Sequence, residues 1–81
     1  MSLSDLEKAY VLISCELGEE TPICSQLLQI PNVQNCLITY GNYDIVAKIE
    51  TSTHDELNSI ISSKIRRLPK IRSTITLRVT N

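Results

Sequence analysis

Between residues 9 and 17 apolar and polar side chains alternate, with Val11, Ile13 and Cys15 on one face and Tyr10, Leu12, Ser14 and Glu16 on the other. A period of two marks a strand, and the density of β-branched residues agrees with it. Gly18-Glu19-Glu20-Thr21-Pro22 then supplies a turn, two carboxylates suited to a helix N-terminus and a proline tolerated only in a first helical turn. Ile23, Leu27 and Ile30 recur at helical spacing until Pro31, which pushes the residue before it out of the α region. Residues 33–40 predict a second strand and residues 44–50 a third, in which Ile45, Ala47 and Ile49 alternate with Val46, Lys48 and Glu50. Gly41-Asn42 between them predicts a hairpin closed by a type II′ turn. Thr53-His54-Asp55-Glu56 has the S/T-x-x-E form of a capping box and opens a helix whose stripe is Leu57, Ile60, Ile61, Ile65 and Leu68, ended by Pro69. Residues 73–80 form the last strand, with Ile75, Leu77 and Val79 alternating against Thr74, Thr76 and Arg78.

The order βαββαβ predicts an α+β, ferredoxin-like sandwich: a four-stranded antiparallel sheet with two helices on one face. Tracing the strand directions brings the end of the first strand, the Gly41 hairpin and the connection 66–73 to one end of the sheet. The face without helices is expected to carry Tyr10, Leu12, Val46, Thr74 and Thr76 beside Glu16, Lys48, Glu50 and Arg78. A half-apolar open face of this kind predicts a two-fold dimer.

Composition narrows the functional classes. Eighty-one residues make a single domain, 1–81, with a small core. Eight basic against nine acidic residues give a net charge of -1, which argues against affinity built on neutralising phosphates. Cys15, Cys24 and Cys36 form no C-x-x-C pair and His54 has no second ligand nearby, so no metal site is expected and the cysteines read as buried thiols acting as small hydrophobes. No secretory leader precedes them and no apolar run approaches the length of a membrane span, so a cytoplasmic protein is expected.

The most informative segments are Thr39-Tyr40-Gly41-Asn42-Tyr43-Asp44-Ile45 and Arg72-Ser73-Thr74-Ile75-Thr76-Leu77. Taken with Ala9-Tyr10-Val11-Leu12-Ile13 and Lys64-Ile65-Arg66-Arg67-Leu68, they make the chain resemble the effector-binding half, or RAM domain, of the leucine-responsive/AsnC family of transcription regulators, over residues 8–79. The resemblance implies dimerisation through the open sheet face, assembly of dimers, and a small amino acid bound where dimers meet. Carried over residue by residue, it places Gly41, Asn42, Tyr43 and Asp44 on one side of the ligand pocket, with Ser73 and Thr74 approaching from the same sheet end, from the same or a neighbouring subunit. The chemistry fits a zwitterion: Asp44 offers an anion to the ammonium, and a glycine-opened turn offers N–H groups to the carboxylate. The plain alternative is a turn in which Asp44 bonds only backbone.

The family's regulators carry an N-terminal helix-turn-helix region, whereas eight residues precede the first strand here, so no DNA-reading element and no direct nucleic-acid partner are expected. Lys64, Arg66, Arg67, Lys70 and Arg72 crowd into nine positions, but a helix C-terminus favours cations and Glu16, Glu19 and Glu20 are expected at the same end to screen them. The leading expectation is an amino-acid-sensing, homo-oligomeric module without cofactor, metal or catalytic residues, joining full-length family regulators in mixed assemblies. The alternatives are a small dimeric ferredoxin-like enzyme of the cofactor-free monooxygenase type and a purely structural oligomerisation subunit. With no Trp, no Phe and one peripheral His, an aromatic pocket or acid–base pair is hard to build.

Overall fold

A computed structural model describes residues 6–80. The elements run β1 (Glu7–Cys15), α1 (Glu20–Leu28), β2 (Val33–Ile38), β3 (Ile45–Thr51), α2 (His54–Ile60), a π-helical turn (Ile61–Ile65) and β4 (Ile71–Val79). The strands form one antiparallel sheet in the order β2-β3-β1-β4. This is the expected ferredoxin-like topology.

The alternation in β1 and β3 is realised without a break. Ala9, Val11, Ile13 and Cys15 are buried, as are Ile45, Ala47, Ile49 and Thr51, and they meet Ile23, Leu27, Leu57, Ile60, Ile61 and Ile65 from the helices. Burying these side chains, at about 1.5–3 kcal/mol each, is what offsets the ordering entropy of so short a chain. Helix α1 starts at Glu20, so Pro22 does fall in its first turn. Thr53 caps α2 by accepting from the Glu56 N–H at 3.1 Å, while the Glu56 carboxylate accepts from the Ser52 N–H at 2.9 Å, one residue earlier than a strict capping box. The helix does not continue regularly to Leu68. At Ile61 it widens, with Arg66 N–H donating to the Ile61 carbonyl at 3.0 Å, and this keeps both Ile61 and Ile65 in the core.

The last strand departs from expectation. Ile71 pairs with Cys15, but Ser73 pairs with Ser14, leaving Arg72 as the extra residue of a bulge. One added residue exchanges the faces of everything that follows. Ile75, Leu77 and Val79 therefore lie opposite Leu12, Tyr10 and Lys8 on the open face, and Thr74, Thr76 and Arg78 lie opposite Ile13, Val11 and Ala9 on the helix side. The expected placement of Thr74, Thr76 and Arg78 on the open face is corrected accordingly. The open face is more apolar than predicted: Tyr10, Leu37, Ile75, Leu77 and Val79 are all exposed large hydrophobics.

The cysteines also require a correction. Cys24 of α1 and Cys36 of β2 form a disulfide across a Cα separation of 5.9 Å, and Cys15 alone is a buried free thiol. The pair is twelve residues apart in sequence, and nothing in that spacing announces it. It becomes possible because α1 packs on β2. A cytoplasmic setting inferred partly from unpaired thiols loses that support. No helix of the described residues is long and apolar enough to cross a membrane.

Candidate functional site

The end of the sheet at which β1 finishes collects most of the expected site. The connection between β2 and β3 is longer than a two-residue turn: Thr39 N–H donates to the Asp44 carbonyl at 2.8 Å and the Thr39 hydroxyl to the Tyr43 carbonyl at 2.9 Å, closing a loop over residues 40–43. Gly41 sits at its tip with φ +116°, a value that strains any residue with a side chain, although a Cβ there would meet no neighbour. Gly41 and Asn42 are exposed, and Tyr43 and Asp44 half-buried.

Asp44 is held through both its backbone and its side chain. Its N–H donates to the Ile13 carbonyl at 2.9 Å, and its Oδ2 accepts from the Cys15 N–H at 2.9 Å, twenty-nine residues away in sequence. The carboxylate thus fastens the end of β1 to the hairpin, a tertiary role rather than a turn's own cap. Among the described residues the Cys15 N–H is the one hydrogen-bond donor to the Asp44 carboxylate. Beneath it, burial pushes the Cys15 thiol up, and the carboxylates of Asp44, Glu20 and Glu19 push the same way against a smaller opposing pull from the Arg72 guanidinium. Cys15 is accordingly a protonated core thiol.

Two strands away lies an open cleft of about 260 Å³ lined by Arg66, Ile71, Arg72, Ser73 and Thr74. Arg66, at the end of the π-helical turn, donates from Nε to the Thr74 hydroxyl at 3.2 Å. A second hollow of about 390 Å³ shares Arg66 and runs along the helix side of β4 past Asn58, Ile61, Ser62, Thr76 and Arg78. Lys70 enters β4 in a left-handed conformation, φ 74°, with its carbonyl accepting from the Glu16 N–H at 2.9 Å. These two features, the left-handed residue and the bulge at Arg72, turn Arg72, Ser73 and Thr74 toward the cleft.

The predicted residues therefore fall into two groups. Gly41, Asn42, Tyr43 and Asp44 stand on the β3 side of β1; Ser73 and Thr74 stand on its β4 side, about 10 Å away at the usual strand spacing. They share one end of the sheet, and neither of the two cavities beside β4 is lined by Gly41, Asn42, Tyr43 or Asp44.

Residues 8–81 match the family model described as Lrp/AsnC ligand binding domain. The chain belongs to this family. Among its relatives is the HTH-type transcriptional regulator FL11 of Pyrococcus horikoshii, 31% identical over 69 residues that make up 85% of this chain and 45% of the regulator. The homocitrate synthase of Sulfurisphaera tokodaii is 34% identical over 70 residues, again 85% of this chain but 15% of that enzyme. The crystal structure of hypothetical protein PHS023 from Pyrococcus horikoshii superposes with a TM-score of 0.88 at 33% identity, covering 93% of this chain and 90% of that one. The chain spans less than half the length of the curated relatives it matches. It is a ligand-binding module of a transcription-regulator family.

In this Lrp/AsnC domain the residues that sequence reasoning undervalued are Arg66 and Arg72. They were expected to be cations at a helix end, screened by Glu16, Glu19 and Glu20. Only Lys70 contacts one of these, its Nζ lying 3.9 Å from the Glu16 carboxylate. Arg66 instead binds Thr74, and among the described residues neither Arg66 nor Arg72 lies within ion-pair distance of a carboxylate. The clustering of five bases in nine positions was the available signal.

Proposed function

We propose that the chain senses a small amino acid and couples its binding to assembly, tuning transcription through partner regulators without contacting DNA itself. The observation that carries this reading is the convergence, at one end of the sheet of a ligand-binding family, of Asp44 with a glycine-opened loop on one side and the Ser73–Thr74 cleft on the other. A second subunit is what would join the two groups. The open face supports a two-fold dimer: Tyr10, Leu37, Ile75, Leu77 and Val79 put more apolar surface on one side than a monomer of this size carries without use. The net charge of -1 supports the absence of duplex binding. Likeness both to an HTH-type regulator and to a homocitrate synthase supports a portable sensor rather than a DNA-reading or catalytic unit.

The test is a thermal-shift series of the purified chain against the twenty amino acids, followed by calorimetry, since a ligand that binds only the folded state raises its stability. Asp44→Asn keeps an oxygen for the Cys15 N–H and removes the charge, so it is expected to weaken the ammonium contact while leaving the melting temperature close to the parent's. Stabilisation by none of the twenty, with sedimentation still reporting a dimer, would replace sensing with a purely structural role.

A further inference from the structure

We propose that the cleft lined by Arg66 and Arg72 selects an amino acid carrying a second carboxylate, of the glutamate or aspartate type. The inference rests on the amino-acid-sensing reading and concerns which side chain that site accepts.

Three observations carry it. First, Arg66 is oriented: Nε is used at 3.2 Å by the Thr74 hydroxyl, so the guanidinium plane is held while its two terminal amino groups stay available. Two parallel N–H donors in a fixed plane match a carboxylate, and they match an amide poorly because one of its two atoms is itself a donor. Secondly, the lining of the cleft holds two guanidiniums and no carboxylate. Arg72 lines the same cavity, and among the described residues neither guanidinium has a carboxylate within ion-pair reach. Arg78, at the far end of the adjoining hollow, differs in being bound to Glu7. The imbalance is therefore local to Arg66 and Arg72 and is not a general feature of the helix side of β4. Thirdly, the wall between them suits a short acidic side chain: Ile71 provides apolar surface for methylene groups, and Ser73 and Thr74 provide hydroxyls.

The same charges define what is refused. A lysine or arginine side chain would bring a third cation against two that have no carboxylate within ion-pair reach among the described residues. Neutral side chains would gain no charge-assisted hydrogen bond from either guanidinium.

Calorimetry of the full chain with L-glutamate, L-aspartate, L-glutamine, L-asparagine, L-lysine and glutarate reads this out. The expected result is that one acidic amino acid binds at least about tenfold more tightly than its own amide, with L-lysine weakest, as loss of one charge-assisted hydrogen bond implies. Arg66→Gln is expected to erase the acid-over-amide preference and Arg66→Lys to restore part of it; Arg66 is exposed, and unchanged far-ultraviolet dichroism in both variants confirms that folding is intact. An amide that binds as well as its acid, or a preference that survives Arg66→Gln, overturns the proposal and leaves amino-acid sensing standing. Glutarate binding as tightly as L-glutamate would leave the acidic subsite standing and remove the amino-acid reading. Binding by none of the six overturns the proposal, and the twenty-amino-acid series then decides the broader reading separately.

Discussion

The two βα units of the sheet treat their edge strands differently. In the first, α1 packs on β2, Val33 and Cys36 turn inward, and the Cys24–Cys36 disulfide ties helix to strand. Asn32 adds a clamp, its side-chain amide donating to the Glu50 carbonyl and its own carbonyl accepting from the Glu50 N–H, both at 3.0 Å. In the second, α2 packs on β3, and the helix side of β4 holds Thr74, Thr76 and Arg78 where a covered strand would hold valine or isoleucine. The covered edge is a piece of core. The uncovered edge is a hollow, and inward residues that can hydrogen-bond lower the cost of leaving that side of the strand in contact with water.

If that contrast is right, mutations on the two sides of α2 separate by their size. Leu57→Ala, in the fully buried layer over β3, is expected to cost about 2–5 kcal/mol in chemical denaturation. Thr76→Val, on β4 opposite Val11, is expected to stay within about 1 kcal/mol. Comparable losses at both positions would mean that β4 is covered after all. The disulfide tests the first unit: reduction, or Cys24→Ser, is expected to cost roughly 3 kcal/mol for a loop of this length, and to leave ligand affinity at the Arg66 cleft unchanged. Equal stability with and without reductant would show that packing alone holds α1 on β2.

Cys15 gives a smaller effect with a definite sign. Its thiol is held above the ordinary thiol range, so the folded chain keeps this proton more tightly than the unfolded chain does. The associated stability is complete below the ordinary thiol range and falls as pH rises through and beyond it. Native alkylation of Cys15 is expected to lag far behind alkylation in denaturant, and the lag to persist at alkaline pH until the fold opens; rapid native labelling at neutral pH would contradict the buried position. Smallest of all, Lys70→Gly is expected to change stability by less than about 1 kcal/mol, because relief of the φ 74° conformation is opposed by the greater freedom of glycine in the unfolded chain. A larger loss would assign the Lys70–Glu16 contact more weight than an exposed pair normally has.

Much of the architecture was legible in advance. The strands β1 and β3 follow a strict period of two, Thr53 and Glu56 mark the start of α2, and Pro22 and Pro31 bracket α1, because each of these signals is local and acts through backbone dihedrals or one turn of helix. Of the site, the convergence of Asp44 with Ser73 and Thr74 at one sheet end followed from strand directions. What Asp44 does there did not: its bond to the Cys15 N–H spans twenty-nine residues and has no counterpart in local spacing. Arg66 was visible as a charge, and its partner was not.

The sequence by itself determined the order of elements, the directions of the strands and the inward faces of the two central strands, since a strand buried between neighbours must show its alternation plainly. Three things were decided only by tertiary structure: the disulfide, the widening of the helix at Ile61, and the phase of β4. Residues 73–80 alternate perfectly, and that alternation is equally good in either register. The core chose between them through Ile71, which packs beside Cys15 and forces Arg72 out as a bulge, so that every later side chain changes face. A periodic pattern states that a strand has two different faces; which of them meets the helices depends on a contact made elsewhere in the chain.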